Sequence, residues 1–227
     1  MVAERRLFVI LKSMTYTTAI FDLDGVVIDS EPLWDLADAE LLRRYGLIYK
    51  SEDIKSKIVG KNFNESTGII KSTYNIPIDL NKLIDERRSL IEVFYRTKLE
   101  FVAGFEDLHN YLLNKNYRTC IATALSEHLV DIADARLGLR KIFSDKVYHV
   151  ANVGNKSKPD PAIFLFAAQQ LGSRPDECFV VEDAPHGVKG AKNAGMICVG
   201  YTGTFPKNML SEADILVDSL LQIKDYF

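Results

Sequence analysis

Short apolar runs alternate with helical patterns along most of this 227-residue chain, and no other feature restricts the fold as strongly. A strand, a helix and a further strand in repeating order build a parallel sheet with helices on both faces. The expected fold class is therefore α/β, a doubly wound, Rossmann-like parallel sheet. The spacing predicts strands over 18–21, 118–122, 146–150, 178–181, 197–200 and 215–217. Helices fall at about 105–115, 128–137, 161–171 and 187–194, with Gly138, Gly172 and Gly195 as their C-terminal signals. Between 33 and 101 the alternation stops. Helical patterns at 33–45, 51–59, 65–74 and 80–99 follow one another without a strand, which reads as a helical insert. The organisation expected is an N-terminal extension over 1–16, a core domain over 17–32 and 102–227, and an inserted helical domain over 33–101.

In an open parallel sheet the carboxyl ends of the strands converge on one crevice, and here four of those ends are polar. The first, Asp22-Leu23-Asp24-Gly25, sets two carboxylates one residue apart where an apolar strand breaks at a glycine. One acid can act as nucleophile or metal ligand while the other carries a proton, if their surroundings separate their pKa values. The alternative is a capped strand end in which Asp24-Gly25 only turns the chain. The second ends in Thr123-Ala124, ahead of a helix whose free N–H groups could bind an anion; Thr123 could equally be an ordinary helix cap. The third, Ser157-Lys158-Pro159-Asp160-Pro161, holds a lysine on a proline-stiffened turn, or else a solvated surface charge. The fourth, Glu182-Asp183, is a second acid pair. Adjacent carboxylates that both stay ionised usually share a cation, and hard oxygen donors point to Mg2+; an exposed acidic turn is the plainer reading.

Composition narrows the partners. With 28 basic and 31 acidic side chains and a formal charge of −3, the chain has no basic field for nucleic acid. No apolar run approaches the ~20 residues of a membrane span. Cys120, Cys178 and Cys198 lie in or beside apolar runs without metal-site spacing, as buried thiols of a reducing cytoplasm would. The four histidines form no ligand pair. A small molecule is the expected partner, with no nucleic acid and no membrane, for a cytoplasmic monomer or weak homodimer.

Taken in order and spacing, the four segments resemble the haloacid dehalogenase superfamily, in its branch with an all-helical cap inserted after the first motif. The resemblance covers nearly the whole chain from about Thr17 and includes beta-phosphoglucomutases and sugar-phosphate phosphatases. Phe21-Asp22-Leu23-Asp24-Gly25-Val26-Val27-Ile28-Asp29-Ser30-Glu31-Pro32-Leu33-Trp34 is similar to the opening of the 2-deoxyglucose-6-phosphate phosphatase type. The resemblance implies that 33–101 is a cap domain, that Asp22 is the nucleophile forming an aspartyl phosphate, and that Asp24 is the general acid and base. It implies Mg2+ held by the Asp22 side chain, the Asp24 carbonyl and Asp183, with Glu182 a further ligand or a partner of the ligands. Thr123, the N–H of Ala124 and Lys158 would hold the phosphoryl oxygens. The chain departs from common family residues at Ala124, Ser157 and Ala184, and Lys156 is a less favoured substitute for Lys158.

The acid at position 24 favours phosphate-ester chemistry, because halide needs no proton to leave. In beta-phosphoglucomutases a histidine stands where this chain has Trp34, and a lysine and an arginine flank the cap glycine. Aligned on Gly60, those places hold Val59 and Phe63. The expectation is a magnesium-dependent phosphatase acting on a small phosphorylated metabolite, with a sugar phosphate in view. The alternatives are a phosphosugar mutase and a catalytically silent binding module. Within the cap, Lys61, Asn62 and Glu65 could meet substrate or form a solvated helix start.

Overall fold

The computed structural model describes residues 16–58 and 61–227; residues 1–15 of the expected extension, with Val59 and Gly60 of the cap alignment, lie outside the described residues. In chain order the elements begin with β1 (Thr18–Phe21) and the helices α1 (Glu31–Arg44), α2 (Ser51–Ile58), α3 (Phe63–Thr73) and α4 (Leu80–Lys98). There follow α5 (Phe105–Asn114), β2 (Arg118–Thr123), α6 (Glu127–Leu137), α7 (Leu139–Ile142), β3 (Val147–His149) and α8 (Ala162–Gln170). The chain continues through β4 (Cys178–Glu182), α9 (Pro185–Asn193), β5 (Ile197–Tyr201) and β6 (Ile215–Val217). Two compact units result, one of residues up to Asp29 with Glu100–Phe227 and one of Ser30–Leu99. Among the described residues no helix is long and apolar enough to cross a membrane.

The first unit is built on a six-stranded sheet in the order β3-β2-β1-β4-β5-β6, every pair parallel. It is the doubly wound sheet that the alternation of patterns implies. The strands are largely apolar because both faces are covered. On one face Ile20, Cys120, Ala122, Val180 and Cys198 pack with Ile163, Phe164 and Ala167 of α8 and Val188 and Ala191 of α9. On the other, Phe21 meets Phe105 of α5 edge to face at 5.9 Å. That helix buries Phe105, Leu108, His109 and Leu112, the i, i+3, i+4, i+7 stripe of a helix lying on a sheet. His109 belongs to this core. Its Nε2 is 2.9 Å from Thr119 Oγ1, and burial pushes its pKa down to about 4, so the imidazole is neutral. The three cysteines are free and buried.

Element ends differ slightly from the sequence expectation, each for a local reason. β2 runs one residue further, to Thr123. α9 starts at Pro185 rather than Gly187, since proline at the first helical position gives up no hydrogen bond. α3 starts at Phe63 because Asn62 caps it: Asn62 Oδ1 accepts from the Glu65 N–H at 2.9 Å, and Glu65 Oε2 accepts from the Asn62 N–H at 3.3 Å.

The second unit is all helical, with α1 packed along α4. A charge lies at its centre. Arg87 of α4 and Asp38 of α1 are each 3% exposed by side chain, and they form a two-point pair, Nε to Oδ1 at 2.7 Å and Nη2 to Oδ2 at 3.1 Å. Arg87 Nη1 also donates to Ser66 Oγ and Thr67 Oγ1 of α3, at 2.7 and 3.1 Å. The guanidinium carbon stands 5.7 Å from the Trp34 ring centre and 5.1 Å from that of Phe63. Three helices thus meet on one side chain. Replacing one member of a buried pair strands the other charge, which costs about 3–5 kcal/mol, whereas apolar replacement of both is often neutral. Urea unfolding should therefore show Arg87→Met more destabilised than the Asp38→Leu/Arg87→Met double variant; the reverse order would mean the pair is not the tie between these helices.

Candidate active site

The strand order reverses between β1 and β4, and ligands bind where such a reversal opens a crevice at the strands' carboxyl ends. Asp22 follows β1 directly, its N–H continuing the ladder to Val181 O at 3.0 Å. The chain then turns sharply. Gly25 adopts φ +74°, its N–H donates to Ile28 O at 2.8 Å, and the Val27 and Ile28 N–H groups share Leu23 O, each at 3.0 Å. Asp24 is half-buried on this turn. Gly25 is required on two counts. A side chain would be strained at that φ, and a Cβ there would lie 2.0 Å from Asp183 Oδ2.

Lys158 reaches the same place from the loop between β3 and α8. Its ammonium is buried and donates to Asp22 Oδ1 and, at 2.6 Å, to Glu182 Oε1. It also stands 4.9 Å from the ring centre of Phe164. The solvated surface charge that the sequence also allowed is thereby excluded for Lys158; it describes Lys156, which is exposed. Glu182, at the end of β4, has its other oxygen engaged by the N–H groups of Asp183 and Ala184, both at 3.1 Å. The carboxylate fills the space above Gly187, where a Cβ would fall 1.8 Å from Glu182 Oε1. Glu182 and Asp183 are 1% and 5% exposed, so the exposed acidic turn is also excluded.

Asp22, Glu182 and Asp183 each bring a carboxylate oxygen within 4.8 Å of the others. The cluster sets three carboxyl groups beside one ammonium, which donates to two of them, so that full ionisation would leave an excess of two negative charges inside a buried site. Burial pushes the Asp22 carboxyl up to about 6, opposed by Lys158 and reinforced by Glu182. Burial, then Glu182 and Asp22, also drives Asp183 well above the usual carboxylate range. For Lys158 burial works against the charge, but Asp22 and Glu182 prevail and raise its pKa. A compact set of hard oxygen donors with two excess charges fits a divalent cation such as Mg2+.

Thr123 ends β2 and is buried. It does not cap the next helix, because the N-cap position of α6 is Ser126. Its Oγ1 accepts from the Leu125 N–H at 3.1 Å, which leaves the hydroxyl proton to be donated. Ala124 is exposed beside it. Asn62 and Glu65 are occupied in the cap of α3, as the helix-start reading has it. Two neighbours of the acid cluster had no role in the sequence reading. His186, in the first turn of α9, has its pKa lowered by burial and then Lys158, against an opposing pull from Asp22. Gly187 makes room for Glu182, and its only signal in the sequence is a glycine early in a helical pattern.

Removing the ammonium should be felt most strongly at high pH. An acid whose pKa is higher folded than unfolded binds more protons in the folded state, so its contribution to stability falls as pH rises through that range. Without Lys158 the three carboxylates lose their one internal counter-charge. Lys158→Met should lose about 3–5 kcal/mol at pH 8 and less at pH 5, read from thermal melts in the absence of divalent ions. An equal loss at both pH values would contradict the charge balance described.

Comparison with known proteins gives the family. The model for "Haloacid dehalogenase-like hydrolase" matches residues 19–201. A Drosophila melanogaster protein named "Probable pseudouridine-5'-phosphatase" is 30% identical over 193 residues, which cover 82% of this chain and 81% of that protein. Hexitol phosphatase A of Escherichia coli strain K12 is 30% identical over 207 residues, covering 90% and 91%. Among solved structures, a conserved haloacid dehalogenase-like protein of unknown function from Agrobacterium tumefaciens superposes with a TM-score of 0.79 at 27% identity, over 92% of this chain and 96% of that one. The matched span contains every member of the Asp22, Lys158, Glu182 and Asp183 cluster, and the chain belongs to the haloacid dehalogenase-like hydrolases.

Proposed function

We propose that this protein is a Mg2+-dependent phosphatase that hydrolyses a small phosphorylated metabolite, a sugar phosphate, through an aspartyl-phosphate intermediate. One observation carries the reading: the Asp22 carboxylate lies in a buried cluster with Lys158, Glu182 and Asp183. An ammonium so placed can hold the nucleophile's rotamer and meet the charge of an arriving phosphoryl group. The names of the two relatives, acting on a phosphorylated nucleoside and a phosphorylated hexitol, support a phosphorylated carbohydrate as substrate. Residues 33–101 are part of the proposal as the cap domain, and the cytoplasm as its location.

The chemistry then follows from these side chains. A carboxylate oxygen of Asp22 attacks phosphorus in line, and the bond from phosphorus to the substrate's bridging oxygen breaks. Asp24, in its protonated form, gives its proton to that oxygen, so a neutral alcohol leaves. Asp24 next takes a proton from water, whose oxygen attacks phosphorus; the bond to Asp22 breaks and inorganic phosphate is released. Throughout, Lys158 and the Thr123 hydroxyl donate to phosphoryl oxygens, with the Ala124 N–H beside them. Glu182 keeps the Lys158 ammonium charged and aimed at Asp22. Mg2+, held by Asp22, the Asp24 carbonyl and Asp183, would offset phosphate charge and favour in-line geometry.

A mutase would have to protect its aspartyl phosphate from water. Trp34 in place of the mutase histidine favours hydrolysis, as does Phe63 in the cap. The test is phosphate release from p-nitrophenyl phosphate and from a panel of sugar phosphates with Mg2+. Asp22→Asn should lose activity by about 10⁴-fold or more. An unchanged rate in that variant would overturn the assignment, and isomerised hexose phosphate appearing faster than free phosphate would favour the mutase.

A further inference from the structure

Asp183 has two contacts of different origin. One is the bare Cα of Gly25, against which its Oδ2 is lodged. The other is Thr204, whose Oγ1 stands beside the Asp183 carboxylate and, against the larger upward push of burial, draws its pKa down, as a hydroxyl turned toward a carboxylate does. The two contacts share one small space, since the same Cβ position on Gly25 that lies 2.0 Å from Asp183 Oδ2 lies 2.7 Å from Thr204 Oγ1.

Thr204 belongs to the segment between β5 and β6, well separated in sequence from the polar strand ends. Topology brings it near. β5 pairs with β4 in a register that sets Gly200 beside Glu182, so the chain leaving β5 runs next to the chain leaving β4 and the half-buried Thr204 arrives beside Asp183. When Asp183 binds a cation it is ionised and its carboxylate only accepts hydrogen bonds, while a threonine hydroxyl has one proton to give. The donation therefore runs from Thr204 to Asp183. The Asp183 carboxylate thus lies between that hydroxyl and the Gly25 backbone, with an oxygen within 4.8 Å of those of Asp22 and Glu182.

We infer that Thr204 is a positioning residue for divalent-cation binding: its hydroxyl holds Asp183 in the orientation that lets it join Asp22 in binding the ion. The inference rests on the proposed Mg2+-dependent reading of the site. Partners that orient metal ligands matter nearly as much as the ligands themselves, and their loss weakens metal affinity by about 10- to 100-fold.

The experiment measures Mn2+ binding to the purified full chain by the electron paramagnetic resonance of free Mn2+, in wild type, Thr204→Val, Thr204→Ser and Asp183→Asn. Valine keeps the shape and removes the donor, while serine restores it. Thr204→Val should bind Mn2+ about tenfold or more weakly, and Thr204→Ser within about twofold of wild type. Melting without divalent ions should be alike in the threonine variants, which separates ion binding from folding. In turnover, Thr204→Val should need more Mg2+ for half-maximal rate while kcat at saturating Mg2+ recovers. Wild-type affinity in Thr204→Val, with Asp183→Asn impaired, would overturn the role of Thr204 and leave the metal site standing. No Mn2+ binding in wild type, or equal binding in Asp183→Asn, would overturn both.

Discussion

The ammonium of Lys158, shared between Asp22 and Glu182, is the interaction on which the site depends. Three buried carboxylates within 4.8 Å of one another would repel strongly. Lys158 offsets part of that repulsion from within, and its own burial is tolerable only because both carboxylates accept from it. Glu182 is fully committed in this arrangement, to Lys158 through one oxygen and to two backbone N–H groups through the other. Asp22 shares that ammonium, and Asp183 makes no bond to it. The division fits the proposed roles, in which Glu182 holds the lysine and Asp22 reacts. It also accounts for a carboxylate and an ammonium meeting at the base of a site where phosphate would arrive.

Backbone geometry makes the cluster possible. β1 and β4 are neighbours at the reversal of strand order, which sets Asp22 beside the Glu182-Asp183 pair. Two glycines then give the carboxylates room: Gly25 for Asp183 and Gly187 for Glu182. At Gly25 the absent side chain serves both the left-handed turn and the neighbouring acid. At Gly187 it serves the acid alone, at some expense to helix propensity at the start of α9.

Much of this was legible in the chain because parallel α/β folds carry their signals locally. Each strand is a short apolar run, and Asp22, Thr123 and Glu182-Asp183 stand where such a run turns polar, so these candidates could be placed at strand ends from the sequence, while the roles proposed for them come from the family resemblance. What local patterning cannot express is pairing across the fold. Lys158 by itself reads equally well as a surface charge, and only the bonds to Asp22 and Glu182 decide the matter. Arg87 and Asp38 are 49 residues apart, and each fits an ordinary polar helix position until both prove to be buried. Thr204 carries no sequence signal at all, since its role arises from the β4–β5 register. In the helical unit, Asn62 and Glu65 looked equally suited to a ligand or a helix cap, and the cap geometry accounts for both side chains.

In the proposed reaction Asp22 is the nucleophile that takes up the phosphoryl group, and Asp24 serves both halves of the reaction. Acid quenching during turnover of a phosphorylated substrate, followed by mass spectrometry of the peptides, tests it directly. The account predicts an acid-stable phosphoryl adduct on the peptide carrying Asp22, accumulating to a higher level in Asp24→Asn, with an activated ester that leaves without a proton, because no base remains to activate water. A phosphoryl group found on another residue, or turnover without any adduct in either protein, would contradict it.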